Sequence, residues 1–310
     1  MYRQFFSLRD LPFGASPDPR FLYRMPQVRE GLACLQYGIA ARKGFVVITG
    51  EVGTGKTTLL KTVLESFAKD RIATAFIFNP LLDVLDFFEF VLSDFGIPFI
   101  SRTKSSMLMQ LNQWLIERYR NGGLCTIVVD EAQNLSWELL EEVRLLTNLE
   151  TATEKLVQVV LSGQPELELK LRDPRVRQLR QRVALWSKTR PLTREETGSY
   201  ISLRLQIAGA RHPIFSPEAV ETVYRFSQGV PRVINLVCEH SMISAYVEQV
   251  TPIPARIVEL VATELELDQQ PFLISSAGVS GSSQISPHPS GSKTITPITE
   301  HIPSLKEAEI

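Results

Sequence analysis

The sequence predicts an α/β fold in which a mainly parallel sheet, covered by helices, precedes an all-helical domain and a disordered C-terminal tail. Three observations carry that expectation. Apolar runs of strand length alternate with helical patterns as far as about residue 192. A glycine-rich loop, GEVGTGKT, sits between the first of those strands and the helical pattern that follows it. From Thr193 the strands stop, and four helical patterns run to about residue 267 before the composition turns to Ser, Pro, Gly and Thr.

The strands read as FVVITG (45–50), ATAFIFN (73–79), CTIVVDE (125–131), KLVQVVLSG (155–163) and VALWSKT (183–189). The helical patterns TTLLKTVLESFA, LLDVLDFFEFVLSDF, MLMQLNQWLIERY and SWELLEEVRLLTNLE lie between them. Parallel neighbours need a crossover, so strand alternating with helix implies a parallel sheet with both faces covered. In the last third, TREETGSYISLRLQIAGA, SPEAVETVYRFSQG, PRVINLVCEHSMISAYVEQV and PARIVELVATELEL each open on a capping residue or a proline and repeat apolar residues at helical spacing. The stretch from about Gln269 has too little apolar area to offset the entropy of ordering it.

Composition narrows the function classes. An apolar share of 44% in 310 residues supplies a sizeable core, and a formal net charge of -1 gives no global attraction to nucleic acid or to an anionic membrane. Any basic function must be local. Cys34, Cys125 and Cys238 are odd in number and far apart, and His212, His240, His288 and His301 are scattered, so neither a disulfide framework nor a metal cluster is expected. The opening residues lack the apolar core of a signal peptide, and no run approaches the roughly 18 apolar residues of a membrane helix. The expected location is the cytoplasm.

The chemistry begins at the loop from Gly50 through Glu51, Val52, Gly53, Thr54 and Gly55 to Lys56, with Thr57 and Thr58 opening the helix. It matches G-x-x-x-x-G-K-[ST], the Walker A pattern of P-loop nucleotide-binding proteins. Its glycines let backbone N–H groups close around phosphate oxygens, Lys56 reaches the β- and γ-phosphates, and the Thr57 hydroxyl ligates Mg²⁺. ATP and Mg²⁺ are therefore the expected ligands. TIVVDEAQNL then ends a β-branched run on Asp130 and Glu131, at the strand edge where ligands of open α/β sheets bind. Asp-Glu after a strand is also ordinary helix-start chemistry. Behind a P-loop it reads as Walker B, with Asp130 in the Mg²⁺ shell and Glu131 orienting or deprotonating the attacking water. In VQVVLSGQPEL, Gln164 is the candidate polar group between these two motifs and Ser162 the second choice; the alternative is that Gln164-Pro165 only caps the next helix. In QGVPRVIN, Arg232 falls in the first turn of a helix, where a cation opposes the helix dipole and an anionic partner would relieve it. It reads as a γ-phosphate sensor.

Taken together, GEVGTGKTTL, VVDEAQNL, LSGQPEL, RQLRQR and GVPRVIN resemble the AAA+ ATPases of the general secretion pathway protein A group, over roughly residues 1–265. MYRQFFSLRDLPFGASPDPRFLY and LQYGIAARKGF are similar to the same group. ATPases of pilus and exopolysaccharide-export loci, and of DNA transposition, share these motifs. The resemblance implies an αβα core with a helical lid, ATP between them, and assembly as a ring or filament, a hexamer among the options. It divides the chain into an N-terminal linker near the nucleotide base (1–44), a P-loop core (45–192), a helical lid (193–267) and the tail (268–310). Val28 departs from the group pattern, which has histidine there.

The stretch DPRVRQLRQRVALWSKTR (173–190) sets six basic side chains against one acid, Asp173. In AAA+ proteins this region faces the neighbouring subunit's γ-phosphate, so the resemblance implies an arginine finger. Arg182 fits the end of the group's R-Q-L-x-Q-R pattern and is the first choice; Arg177 fits its beginning, and Arg180 holds its variable position. The surplus would be a solvated face or a nucleic-acid patch. Two functions follow as expectations. One is an ATP-hydrolysing protein that assembles through its ATP sites and serves a secretion, pilus or polysaccharide-export machine; the alternative is an ATP-dependent DNA-binding regulator.

Overall fold

Five parallel strands, β1 (Phe45–Thr49), β2 (Ile72–Ile77), β3 (Leu124–Val129), β4 (Gln158–Gly163) and β5 (Val183–Lys188), form one sheet in the order β2-β3-β4-β1-β5. The computed structural model describes residues 1–14, 16, 18–67, 71–98 and 101–267, so the tail expected over 268–310 lies outside the described residues. Strands β1, β3 and β4 are buried along their whole length, which is why they read as unbroken apolar runs. Alternate side chains serve opposite faces. Val46, Ile48, Val128 and Val160 pack on one side, and Phe45, Val47, Ile127, Val129, Val159 and Leu161 on the other.

After the short α1 (Tyr2–Phe5), the helices α2 (Pro26–Ala40) and α3 (Lys56–Ser66) cover the first face through Leu35, Ile39, Leu59, Leu60 and Val63. The second face takes α4 (Val84–Asp94), α5 (Lys104–Arg120), α6 (Trp137–Leu146), α7 (Pro165–Arg172) and α8 (Arg177–Arg182). Caps fix where several begin. The Asp83 carboxylate accepts from Asp86 N at 2.8 Å at the start of α4, and Ser136 Oγ accepts from Leu139 N at 3.0 Å at the start of α6.

The fourth strand starts at Gln158, three residues later than the apolar run suggests. Leu156 and Val157 are buried, yet Leu156 N donates to Leu149 O and Lys155 bridges Glu150 antiparallel, so this part of the run pairs with the segment just before it and not with the parallel sheet.

Beyond β5, α9 (Arg194–Ile207), α10 (Pro217–Ser227), α11 (Pro231–Glu248) and α12 (Ala255–Glu264) build a second core. A capping box between Thr193 and Glu196 opens α9, and prolines occupy the first turn of α10 and α11. The N-terminal residues join this core: Phe6, Leu8, Phe13, Phe21 and Met25 pack among the four helices. Buried Arg204 ties them in, donating to Pro12 O and Tyr200 Oη with its guanidinium over the Phe21 ring at 4.7 Å. A guanidinium so buried is tolerated because carbonyl, hydroxyl and ring faces replace its water. Val28, on α2, packs against both the helical core and the α2–α3 face of the sheet.

Candidate nucleotide site

The C-terminal ends of β1, β3 and β4 converge with the start of α3. The loop between β1 and α3 is held tightly: Thr54 Oγ1 donates to Glu51 O at 2.7 Å, and it lies 2.7 Å from Thr189 Oγ1 beyond β5. Gly50 has no room for a side chain, since a Cβ there would meet Thr189 Oγ1 at 2.0 Å and Thr189 O at 2.6 Å. Gly50→Ala is therefore expected to lower stability by about 1–3 kcal/mol through overpacking and to weaken nucleotide binding with it. A denaturant midpoint equal to the parental one would show that the loop yields without cost.

Lys56 Nζ donates to Gly50 O at 2.8 Å and to Glu51 O at 3.0 Å. Burial holds its ammonium below the ordinary lysine range, although Glu131, Asp130, Glu51 and Glu166 pull the other way. Thr57 Oγ1 donates to Asp130 Oδ2 at 2.7 Å, and Ser162 Oγ donates to Asp130 Oδ1 at 2.7 Å. The hydroxyl opening α3, the acid ending β3 and a hydroxyl from β4 thus meet at one carboxylate. Glu131 follows in the left-handed region, φ 51° and ψ 38°, uncommon for a side chain of this size. Its Oε2 accepts from Gln133 Nε2 at 2.6 Å and from Gln164 Nε2 at 3.0 Å. Burial raises its carboxyl, but the two amides and Lys56 outweigh that and leave it below the usual range.

Of the residues singled out in the sequence, the loop, Lys56, Thr57, Asp130, Glu131, Ser162 and Gln164 come together here. Gln164 does occupy the cap position of α7, but its side chain makes no capping bond and goes to Glu131 instead. Ser162 reaches the other acid, so the two candidates of that strand serve different carboxylates. Val52 and Glu51 are exposed at the loop's crest, and Thr58 lies in the first turn of α3. Arg232 meets the loop from the helical layer: its N–H donates to Gly53 O at 3.2 Å while its side chain is exposed.

Arg182, first choice for a trans role, is committed within its own chain. Its Nη1 donates to Asn148 Oδ1 at 2.5 Å, Thr147 Oγ1 at 3.0 Å and Arg144 O at 3.3 Å, at the C-terminal end of α6, where a cation complements the dipole. Arg177 and Arg180 are exposed on α8. Gln133 and Thr189 were not singled out in the sequence. Gln133 had a signal, two positions after Glu131 in the quoted DEAQNL; Thr189 had none, being 135 residues from the threonine it meets.

A hard cation fits the donor set. Thr57 and Asp130 offer oxygen only, and among the described residues no group of three or more His, Cys, Asp or Glu forms a cage of its own. That suits Mg²⁺, which keeps waters and takes phosphate oxygens alongside one or two protein ligands.

A parallel sheet in this order, a P-loop at the β1–α3 junction, paired acids ending β3 and a helical layer touching the loop define a P-loop NTPase of the AAA+ class. Residues 39–171 match the AAA domain family. The General secretion pathway protein A of Aeromonas hydrophila is 42% identical over 247 residues, which is 79% of this chain and 45% of that protein. The chain is an AAA+ protein similar to general secretion pathway protein A, and it spans less than half the length of that relative. The fold is also that of the ORC2 protein of Aeropyrum pernix (TM-score 0.62, 16% identity, 81% of this chain and 72% of that one) and CDC6p of Pyrobaculum aerophilum (0.62, 20%, 84% and 70%). The RuvB branch-migration motor of Thermotoga maritima is more distant (0.51, 16%, 83% and 74%). Among the described residues no helix is long and apolar enough to cross a membrane.

Proposed function

We propose that this chain binds ATP with Mg²⁺ at the loop from Gly50 to Thr58 and hydrolyses it. Copies assemble as a ring or filament through their ATP sites, and turnover drives or regulates a secretion, pilus or polysaccharide-export machine. The observation that carries the reading is the meeting of Thr57, Asp130 and Ser162 at one carboxylate, with Glu131 beside them. Lys56 neutralises phosphate charge, Thr57 and Asp130 hold Mg²⁺, Glu131 accepts the proton of the attacking water, and Gln164 orients Glu131. When bound, the metal neutralises charge on the phosphates. Arg232 reads the γ-phosphate from the helical layer, and an arginine of α8 reaches the neighbouring copy's site. The secretion role is supported by the relative's name alone; a place in the cytoplasm, at the inner membrane through partners, goes with it. Phosphate release from ATP by the purified chain, abolished by chelating Mg²⁺, is the test, and a protein that neither binds nor turns over ATP sinks the reading.

One observation favours the DNA-binding alternative: Arg175, Arg177 and Arg180 are all exposed within a single short segment. The same assay with duplex DNA, at low and moderate salt, separates the two. Stimulation that fades with salt supports a nucleic-acid partner.

A further inference from the structure

Gln133 uses its amide at both ends. Its Oε1 accepts the backbone N–H of Gln164 at 3.1 Å, and its Nε2 donates to Glu131 Oε2 at 2.6 Å. The first bond settles the second, because an amide oxygen that accepts an N–H turns its NH₂ the other way. Gln164 Nε2 donates to the same carboxylate oxygen at 3.0 Å, and among the described residues no hydrogen bond reaches Oε1. The setting is close-fitting. A Cβ on Gly163 would stand 2.7 Å from Gln133 Oε1, so the amide packs where any side chain at the end of β4 would sit. The backbone is held as well: Lys170 Nζ donates to Gln133 O at 2.9 Å and to Leu135 O, with its ammonium 4.9 Å from the centre of the Trp137 ring.

We propose that Gln133 is a positioning residue for Glu131, holding Oε2 so that Oε1 is the oxygen turned to the attacking water. The inference rests on the hydrolytic reading above and adds a second amide to it. A glutamate has three torsions, and a general base must stand about 2.6–3.2 Å from the proton it takes. Gln164 alone leaves the carboxylate free to swing about one contact, whereas two donors on one oxygen fix its plane. A glutamine suits the position because it offers donor and acceptor at one end without a charge. A cation there would form an ion pair and draw the carboxylate away from water.

Two variants test it in the full chain. Gln133→Leu removes donor and acceptor in an apolar side chain one bond shorter; Gln133→Glu keeps the length and an acceptor for the Gln164 N–H and loses the donor. In both, kcat is expected to fall about 10- to 100-fold, the scale of an ångström-sized misplacement. KM and nucleotide affinity should stay within about twofold, because only the reacting geometry changes. Crystal structures of both variants without nucleotide are expected to show the Glu131 carboxylate displaced from its parental orientation, swung about its remaining contact with Gln164. Unchanged kcat in both, or KM rising as kcat falls, overturns the assignment. So does a carboxylate that keeps its place in both variants, whatever the turnover. If the parental chain hydrolyses no ATP while the carboxylate moves in the variants, hydrolysis is what fails, and the positioning of Glu131 by Gln133 stands.

Discussion

Replacing Glu131 with Gln is expected to leave ATP bound and to lower turnover by about 10²- to 10⁴-fold, the usual contribution of a general base. The reason lies in which atoms change. The carbonyl oxygen of the new amide still accepts from Gln133 and Gln164, so the clamp seen on Oε2 survives. The other end becomes an NH₂, which donates where a proton must be accepted. Affinity should hold or rise, since one negative charge is removed near the triphosphate. Lys56, Thr57 and Asp130 keep their bonds, none of which involves the Glu131 side chain; Asp130 accepts only its backbone N–H. Binding of a fluorescent ATP analogue and release of phosphate, measured on the same preparation, check both halves. Turnover at the parental rate would show that another group takes the proton.

The parts of this site that the sequence makes legible are the ones whose residues are adjacent in the chain. The loop from Gly50 to Thr57 and the pair Asp130-Glu131 carry their geometry in their own spacing, and the strands before them are marked by burial on both faces. Where a run is apolar but its start lies outside the sheet, as at Leu156 and Val157, hydropathy cannot tell a buried approach segment from the strand itself. Long-range partners are hidden in the same way. Phe6, Phe13 and Phe21 are visibly apolar, yet nothing local says that they join helices whose Arg204 bonds Pro12 across 192 residues. Gln133 stood beside a recognised acid and still went unread, because its role depends on the Gln164 N–H arriving from β4. The position of Arg182 was legible; the acceptors at the end of α6 that engage it were not.

That engagement turns the choice of trans arginine into a contest with a measurable outcome. A finger in the neighbouring copy stabilises charge on the transferring phosphoryl group, an effect of about 10³ to 10⁵ in rate, or roughly 4–7 kcal/mol. Arg182 would first have to leave its acceptors, at about 1.5–3 kcal/mol for a charged hydrogen bond, whereas Arg177 is exposed and needs no release. Each is replaced by Ala in turn. The variant that removes the finger should lose turnover at saturating ATP and keep the nucleotide affinity of the single copy, because the group belongs to its neighbour's site. Lys56→Ala subunits, expected to lose tight ATP binding with the ammonium that offsets phosphate charge, still carry both arginines. Mixing them with the silent arginine variant should restore activity, since each assembly then contains intact loops facing intact fingers. A nucleic-acid patch predicts something different for the same residues. Basal turnover would survive either substitution, mixing would restore nothing, and the slope of log affinity for duplex DNA against log salt would shrink by about one for each phosphate contact removed. Full basal activity in an assembled Arg182→Ala protein, beside a silent Arg177→Ala, would assign the finger to the start of α8. Arg182 would then be what its bonds make it, the brace between α8 and α6.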